Sequence, residues 1–529
     1  MDDFQLLSFD SQNWKNQYDE AIRTGQRDVA RALRVAVFKN TISVVSVGRY
    51  VASNRKVAPF NDEEMQKGTT FYKSPFDVSD IGNRTGRADT RSAPTFKTTV
   101  SVINEDCLLV AEYLLFLGYK PAVLNMASHI NPGGGVAKGS GAQEENLFRR
   151  TNLYRSLYRY AAYAESYGMK KAPEQYPLDK NFGGIYTPCA TVFRGKESDG
   201  YPLLPSPFKM AFIAVPAINR PDIDDQGNLT DNMVEITKNK MRTIFRIAIM
   251  HGHDALVLGA MGCGAFRNPP AHIARLFHEV IEENEFKNKL KSIVFAVIDD
   301  YNAHRQHNPE GNYLPFAREF KDETCNADNW FRYLVETKYA AQIIQIRNAA
   351  HHLHESVNQS YGTSLPYTIH LDMVAKGTMQ YAQLVCKDEA DIIPIMFAAF
   401  FHDSIEDARQ TYNDIKHTAL AFMSENKATL AAELVFALSN DKGKTRAERA
   451  GEKYYNSICE VPYAPLIKLA DRMANMKFSA QQVLQGKTWM KDVYAKELPH
   501  FLECIMSKHA ANDPRFSLPK EMIEACKNS

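Results

Sequence analysis

The chain has 529 residues, a formal net charge of +1 and 44% hydrophobic residues. That length implies more than one domain, and the balanced charge gives no push toward nucleic acid or a membrane surface. Eight singly scattered cysteines with no CxxC pair fit free thiols in a reducing compartment, not a disulfide framework.

In chain order, residues 51–95 are polar and read as an arm over a first site. Lys97–Val102 is the first strand-like stretch, and Asn104–Gly118 the helix after it. Further strands are expected at Ala122–Asn125, Phe212–Val215, Ala255–Gly259 and Ile293–Ile298. Such short, continuous apolar runs suit buried strands covered by helices. Helices are expected at Glu144–Glu165, Asp231–His251 and Pro270–Glu283, giving an α/β three-layer pattern. Residues 301–330 are polar and read as a loop or linker. Beyond Trp330 the periodicity is helical throughout. The longest apolar run, Ile392–Phe401, is ten residues interrupted by Pro394, too short to span a bilayer. The start, Met1-Asp2-Asp3-Phe4, carries no basic or apolar leader. A cytoplasmic enzyme of two domains, 1–326 and 327–529, is expected.

Chemistry concentrates in two places. Asn131-Pro132-Gly133-Gly134-Gly135 is followed, after seven intervening residues, by Gln143-Glu144-Glu145. Successive glycines let backbone approach a ligand without a Cβ in the way. Adjacent carboxyls raise one another's pKa, which a glycosidic acid needs. Leu258-Gly259-Ala260-Met261-Gly262-Cys263-Gly264-Ala265-Phe266 forms a second glycine loop after a strand. In the second half, His370 in Pro366-Tyr367-Thr368-Ile369-His370, the run His402-Asp403-Ser404-Ile405-Glu406-Asp407, and Lys468-Leu469-Ala470-Asp471-Arg472-Met473-Ala474-Asn475 bring imidazoles and carboxylates into helical context. On one helix, the i,i+4 spacing would place His402 over Glu406 and Asp403 over Asp407. Two imidazoles and two carboxylates suit Mn2+, Fe2+ or Zn2+, with Mn2+ expected.

The first constellation resembles the bacterial-type poly(ADP-ribose) glycohydrolases, over roughly residues 10–320. That resemblance implies a macrodomain fold, with Glu145 as acid/base and Glu144 positioning the ribose hydroxyls. It implies ligand contacts from Asn125, Gly133, Gly134, Gly135, Gln143, Gly262, Cys263, Gly264, Ala265 and Phe266, and no cofactor. The ligand would be ADP-ribose or an ADP-ribosylated macromolecule. The second constellation resembles the SpoT-like HD-domain phosphohydrolases. It implies an all-α HD domain with a metal held by His370, His402, Asp403 and Asp471. Glu406 and Asp407 would act on the attacking water. Lys468 and Asn475, with Lys442, Lys444 and Arg446, would contact a nucleotide di- or polyphosphate. Asn358-Gln359-Ser360-Tyr361-Gly362 stands where that family carries basic residues, so the resemblance does not extend to base recognition. A different reading makes the first domain a non-catalytic ADP-ribose reader and the second the sole enzyme.

Overall fold

The computed structural model describes residues 9–52, 55–73, 75, 96–300, 302–321, 329–357, 360–361, 365–439, 452–483, 489–506 and 513–527. The chain separates into two compact units, Met1–Glu323 and Thr324–Ser529. Among the described residues, no helix is long and apolar enough to cross a membrane.

The first unit is built on a seven-stranded mixed sheet. In chain order its strands are β1 (Thr70–Tyr72), β2 (Thr99–Ile103), β3 (Pro121–Met126), β4 (Gly184–Arg194), β5 (Leu203–Val215), β6 (Ala255–Leu258) and β7 (Ser292–Ala296). Their spatial order is β1-β4-β5-β3-β6-β7-β2. Strands β5, β3, β6, β7 and β2 run parallel, while β4 and β1 extend one edge antiparallel. Side chains alternate between faces along a strand. Leu124, Ile213, Leu256 and Phe295 accordingly share one core with helices α5 (Asp231–Met250) and α6 (Pro270–Ile281). The alternate residues Val123, Val257 and Val294 are equally buried, and α3 (Cys107–Leu117) packs on β3 and β6. Parallel strands covered on both faces lose their hydrophobic alternation, which is why β3, β6 and β7 read as plain apolar runs.

Several elements depart from the sequence expectation. Helices α1 (Ser11–Arg23) and α2 (Arg27–Val47) precede the sheet and were not anticipated. The α1 side chain Trp14 stacks on Tyr18 and meets Tyr201 edge-on. The strand β4 was also missed. It contains Pro188 and Gly184 and is bulged between Thr187 and Ala190, features that argue against a strand when read locally. The single helix expected over Glu144–Glu165 ends early. Its first part is α4 (Gln143–Arg150). Thr151 then turns extended and bridges Val192, and Asn152 exchanges hydrogen bonds with Thr191. Pairing with β4 therefore outcompetes helix propagation. The linker expected over 301–330 contains the helix Tyr313–Glu319. Most of the arm expected over 51–95 lies outside the described residues, but its described part supplies helix Asp62–Gly68 and β1.

The second unit is mostly helical. It contains α7 (Ala340–Ser356), α8 (Thr368–Tyr381), α9 (Ile392–Phe401), α10 (Ser404–Asp407), α11 (Glu425–Leu438) and α12 (Ala464–Val483). All ten side chains of α9 are buried, because α7, α8, α11 and α12 surround it. Its all-round apolar character marks a central helix.

Asp106 caps α3 by accepting from Leu108 N and Leu109 N, and its other oxygen accepts from Arg150 at 2.7 Å. Burial opposes the charge of Asp106, but Arg150 outweighs it and holds the carboxyl below its ordinary range. Arg150 is 1% exposed. Replacing Arg150 with Met leaves a buried carboxylate unpaired and is expected to cost about 3–5 kcal/mol. The readout is the denaturant midpoint of the first unit's transition. Arg318→Met, at an exposed pair with Glu310, should leave that midpoint unchanged.

Candidate functional site

The C-terminal ends of the parallel strands gather at one side of the sheet, where open α/β sheets place ligands. Gln143 opens α4 there. Its Oε1 accepts from Met126 N at 2.9 Å and its Nε2 donates to Leu124 O at 2.7 Å. The amide thus acts as a further strand partner for β3 and pins the start of α4 against it. Expected as a ligand contact, Gln143 lines the cavity but has committed its polar head to the backbone.

Glu144 and Glu145 follow in the first helical turn. Glu144 is 3% exposed. It accepts from Ser128 N at 2.8 Å, Gly133 N at 3.0 Å and Asn125 Nδ2 at 3.4 Å. Glu145 accepts from Gly135 N at 2.8 Å through Oε1, and its buried Oε2 has no partner. The glycines are required by this arrangement. Gly133 and Gly134 have φ of +78° and +51°. A Cβ on Gly134 would lie 2.6 Å from Glu145 Oε1, and one on Gly133 would lie 2.6 Å from the Phe148 ring. Behind the loop stand Phe148, Tyr158 and Tyr163, and the Tyr163 hydroxyl donates to Pro132 O. Burial, and then the charge of Glu145, push Glu144 up to about 8 against the pull of the Ser128 and Gly133 amides. Glu144 therefore holds a proton at neutral pH.

The second glycine loop faces the same space. Gly262 has φ of +76°, and a Cβ there would lie 2.7 Å from Ala217 Cβ. Asn268 Nδ2 donates to Ile218 O and Gly262 O, and His307 Nε2 donates to Cys263 O at 2.8 Å. Between the loops lies a cavity of about 640 Å³, large enough for a nucleotide-sized ligand. Of the expected contacts, Gly134, Gly135, Gln143, Gly262, Gly264, Ala265 and Phe266 are on its wall with Glu144 and Glu145. Asn125, Gly133 and Cys263 lie behind it. Asn125 is fully buried against Glu144, Gly133 is pressed against Phe148, and the Cys263 thiol points into the sheet core, where burial raises its pKa. The sequence reading missed Glu105, Asp106, Lys196, Asp300 and Asn302, which complete the wall. Glu105 and Asp106 follow β2, and Asp300 and Asn302 follow β7. A polar residue just past a buried strand was the available signal.

In the second unit, His370 Nε2 and His402 Nε2 face each other at 3.1 Å. Asp403 Oδ2 lies 3.3 Å and 2.9 Å from those two nitrogens, and Asp471 Oδ1 lies 3.4 Å from His370 Nε2. His402 Nδ1 donates to Ala399 O at 3.0 Å, so Nε2 is the ring nitrogen turned to the cluster. Burial opposes charge on Asp403 and Asp471. The histidines outweigh it at Asp403, and Lys468 with the histidines outweighs it at Asp471, so both stay well below the carboxylate range. Donor atoms about 3 Å apart suit neighbouring positions around a cation with bonds of about 2.1 Å. His370, His402 and Asp403 therefore fit a divalent metal, with Asp471 beside His370. The continuous helix expected through His402–Asp407 is broken: α9 ends at Phe401, Asp403 leaves helical geometry, and α10 begins at Ser404. Asp407 N still donates to Asp403 O at 2.9 Å, and Glu406 and Asp407 are exposed beside the cluster. Lys468 and Asn475, expected on a nucleotide, instead support a ligand. Lys468 Nζ pairs with Asp471 Oδ2 at 2.9 Å, and Asn475 Nδ2 donates to Asp471 Oδ1 at 2.6 Å. The Tyr367 hydroxyl donates to Asp403 Oδ2. Lys442, Lys444 and Arg446 lie outside the described residues.

Residues 38–195 match the family "Microbial-type PARG, catalytic domain". The poly(ADP-ribose) glycohydrolase from Thermomonospora curvata is 31% identical, over 54% of this chain and 98% of that chain, with a TM-score of 0.43. The glycohydrolase from Deinococcus radiodurans, solved in complex with ADP-ribose, is 31% identical over 50% of this chain and 99% of that chain, with a TM-score of 0.40. A guanosine-3′,5′-bis(diphosphate) 3′-pyrophosphohydrolase of Mus musculus is 27% identical over 138 residues, 26% of this chain and 69% of that protein.

Gly134→Ala forces a left-handed backbone and a clash with Glu145, and is expected to cost about 1–3 kcal/mol, read by thermal unfolding. Glu144 predicts a pH signature. Its folded pKa stands above its ordinary 4.5, so the native state holds the extra proton and stability falls as pH rises from about 4.5 to 8. Glu144→Gln should flatten that slope in denaturation measured at a series of pH values.

Proposed function

Because the chain belongs, through its first unit, to the microbial-type poly(ADP-ribose) glycohydrolases, we propose that this unit is a macrodomain that cleaves the O-glycosidic bond of ADP-ribose conjugates. One observation carries the reading: Glu145, whose buried Oε2 has no partner, lines a cavity walled by two glycine loops. Backbone N–H groups of the Gly262–Phe266 turn suit a diphosphate, and Phe266 suits packing against the distal ribose. Glu145 would protonate the leaving oxygen as the bond to the anomeric carbon lengthens. Glu144, held neutral by burial, would hydrogen-bond the ribose hydroxyls. A water would then complete the sugar, returning its proton to Glu145. A unit that only bound ADP-ribose would have no need to keep two carboxyls in a dry pocket.

For the second unit we propose an HD-type phosphohydrolase acting on a nucleotide di- or polyphosphate. The converging His370, His402, Asp403 and Asp471 support this, together with the likeness to the mouse pyrophosphohydrolase. A divalent cation such as Mn2+, when bound there, would supply Lewis acidity toward a phosphate oxygen. Tyr367 and Asn475 would orient Asp403 and Asp471, and Lys468 would offset their charge. Glu406 and Asp407 would accept a proton from the attacking water.

Two outcomes test these assignments. Glu145→Ala is expected to lower ADP-ribose release from modified protein by at least about 100-fold while ADP-ribose binding persists, as read by mass spectrometry and calorimetry. Equal release by both proteins would sink the glycohydrolase reading. Asn475→Ala should weaken Mn2+ binding by about 10–100-fold with helicity intact, and His402→Ala with Asp403→Ala should abolish phosphate release.

A further inference from the structure

Two arginines without a carboxylate partner stand next to Phe266, a residue of the first unit's cavity wall. Arg220 and Arg267 are both exposed, and neither makes a side-chain hydrogen bond or ion pair among the described residues. By contrast, Arg242, Arg246 and Arg318 pair with Glu283, Glu285 and Glu310. The two free arginines leave the surface from neighbouring points. Arg220 N donates to Phe266 O at 2.8 Å, and Arg267 N donates to Gly264 O at 3.1 Å. Both have left-handed backbones, with φ of 53° and 60°, a conformation that bulky residues hold only where the surroundings enforce it. Here the enforcement is visible: Asn268 ties Ile218 O to Gly262 O and clamps the two segments together.

We propose that Arg220 and Arg267 form an aglycone-side subsite. It would take the diphosphate of the next ADP-ribose unit in a polymer, beyond the bond being cleaved. This rests on the glycohydrolase reading above. If the terminal ribose packs on Phe266 within reach of Glu145, the group beyond the glycosidic oxygen leaves the cavity past the residue that follows Phe266. In a polymer that group is an adenosine carrying a diphosphate. Two guanidinium forks match a diphosphate in charge and in geometry. A nucleic acid fits less well, because it needs a broad basic surface. The chain's net charge is only +1, and Asp222, Asp224 and Asp225 lie within five residues of Arg220, so no broad basic surface extends from it.

The test uses the full chain as Glu145→Gln, so that substrate is not consumed, with ADP-ribose monomer and O-glycosidically linked ADP-ribose dimer titrated by calorimetry. The dimer is expected to bind about tenfold tighter than the monomer. With Arg220→Gln and Arg267→Gln added, that preference should fall to within about twofold while monomer affinity is unchanged. Arg220→Lys with Arg267→Lys should restore only part of it, since charge returns without the bidentate fork. Monomer binding with no dimer preference, or a preference untouched by the glutamines, overturns the proposal alone. No monomer binding overturns the glycohydrolase reading and the proposal with it. A 5′-phosphorylated oligonucleotide competing as well as the dimer, through the same arginines, overturns it in favour of nucleic acid.

Discussion

Two adjacent carboxyl groups in a dry pocket repel each other and lose their hydration, and the first unit is organised around offsetting that cost. The offset comes from backbone. Amides of Ser128, Gly133 and Gly135 donate to Glu144 and Glu145, and only glycine lets the loop come close enough to do so without a Cβ collision. Gln143 fixes the helix that carries the pair by bonding the end of β3 on both sides. The aromatic wall of Phe148, Tyr158 and Tyr163 keeps water from the rear. The remaining cost appears as a proton kept on Glu144 at neutral pH.

The helices that precede the sheet serve the same end. Thr41 of α2 donates to Arg149 O at 2.6 Å, and Arg34 pairs with Glu197 at 2.6 Å, where Tyr18 also binds. These contacts fix the last turn of α4 and the 195–201 segment, which lines the cavity. Residues far apart in the chain thus hold a short helix whose first turn carries the chemistry.

The second unit solves a related problem with the opposite charge pattern. Asp403 and Asp471 stay ionised because His370, His402 and Lys468 surround them, and Tyr367 and Asn475 hold their oxygens in place. Lys468 and Asn475 both bond Asp471. Tyr361 stacks on Phe478 at 3.9 Å and lies against His370, where the resembled family carries basic residues nearby.

Much of this was legible in the chain itself. Glycine triplets, neighbouring carboxyls and apolar strands are local properties, and local properties are written in consecutive residues. The parallel strands β3, β6 and β7 and the helical second half follow from periodicity alone, because burial on both faces removes alternation. The strand β4, the early end of α4 at Thr151 and the break at Asp403 were not legible, since each is imposed by a partner distant in sequence. The same holds for the wall residues Glu105, Lys196, Asp300 and Asn302, which meet only once the strand ends are side by side. The sequence by itself determined which chemical groups were available. The tertiary structure alone decided which of them face the cavity, moving Asn125 and Cys263 behind it and Lys468 onto Asp471, because a side chain's direction depends on what its backbone packs against.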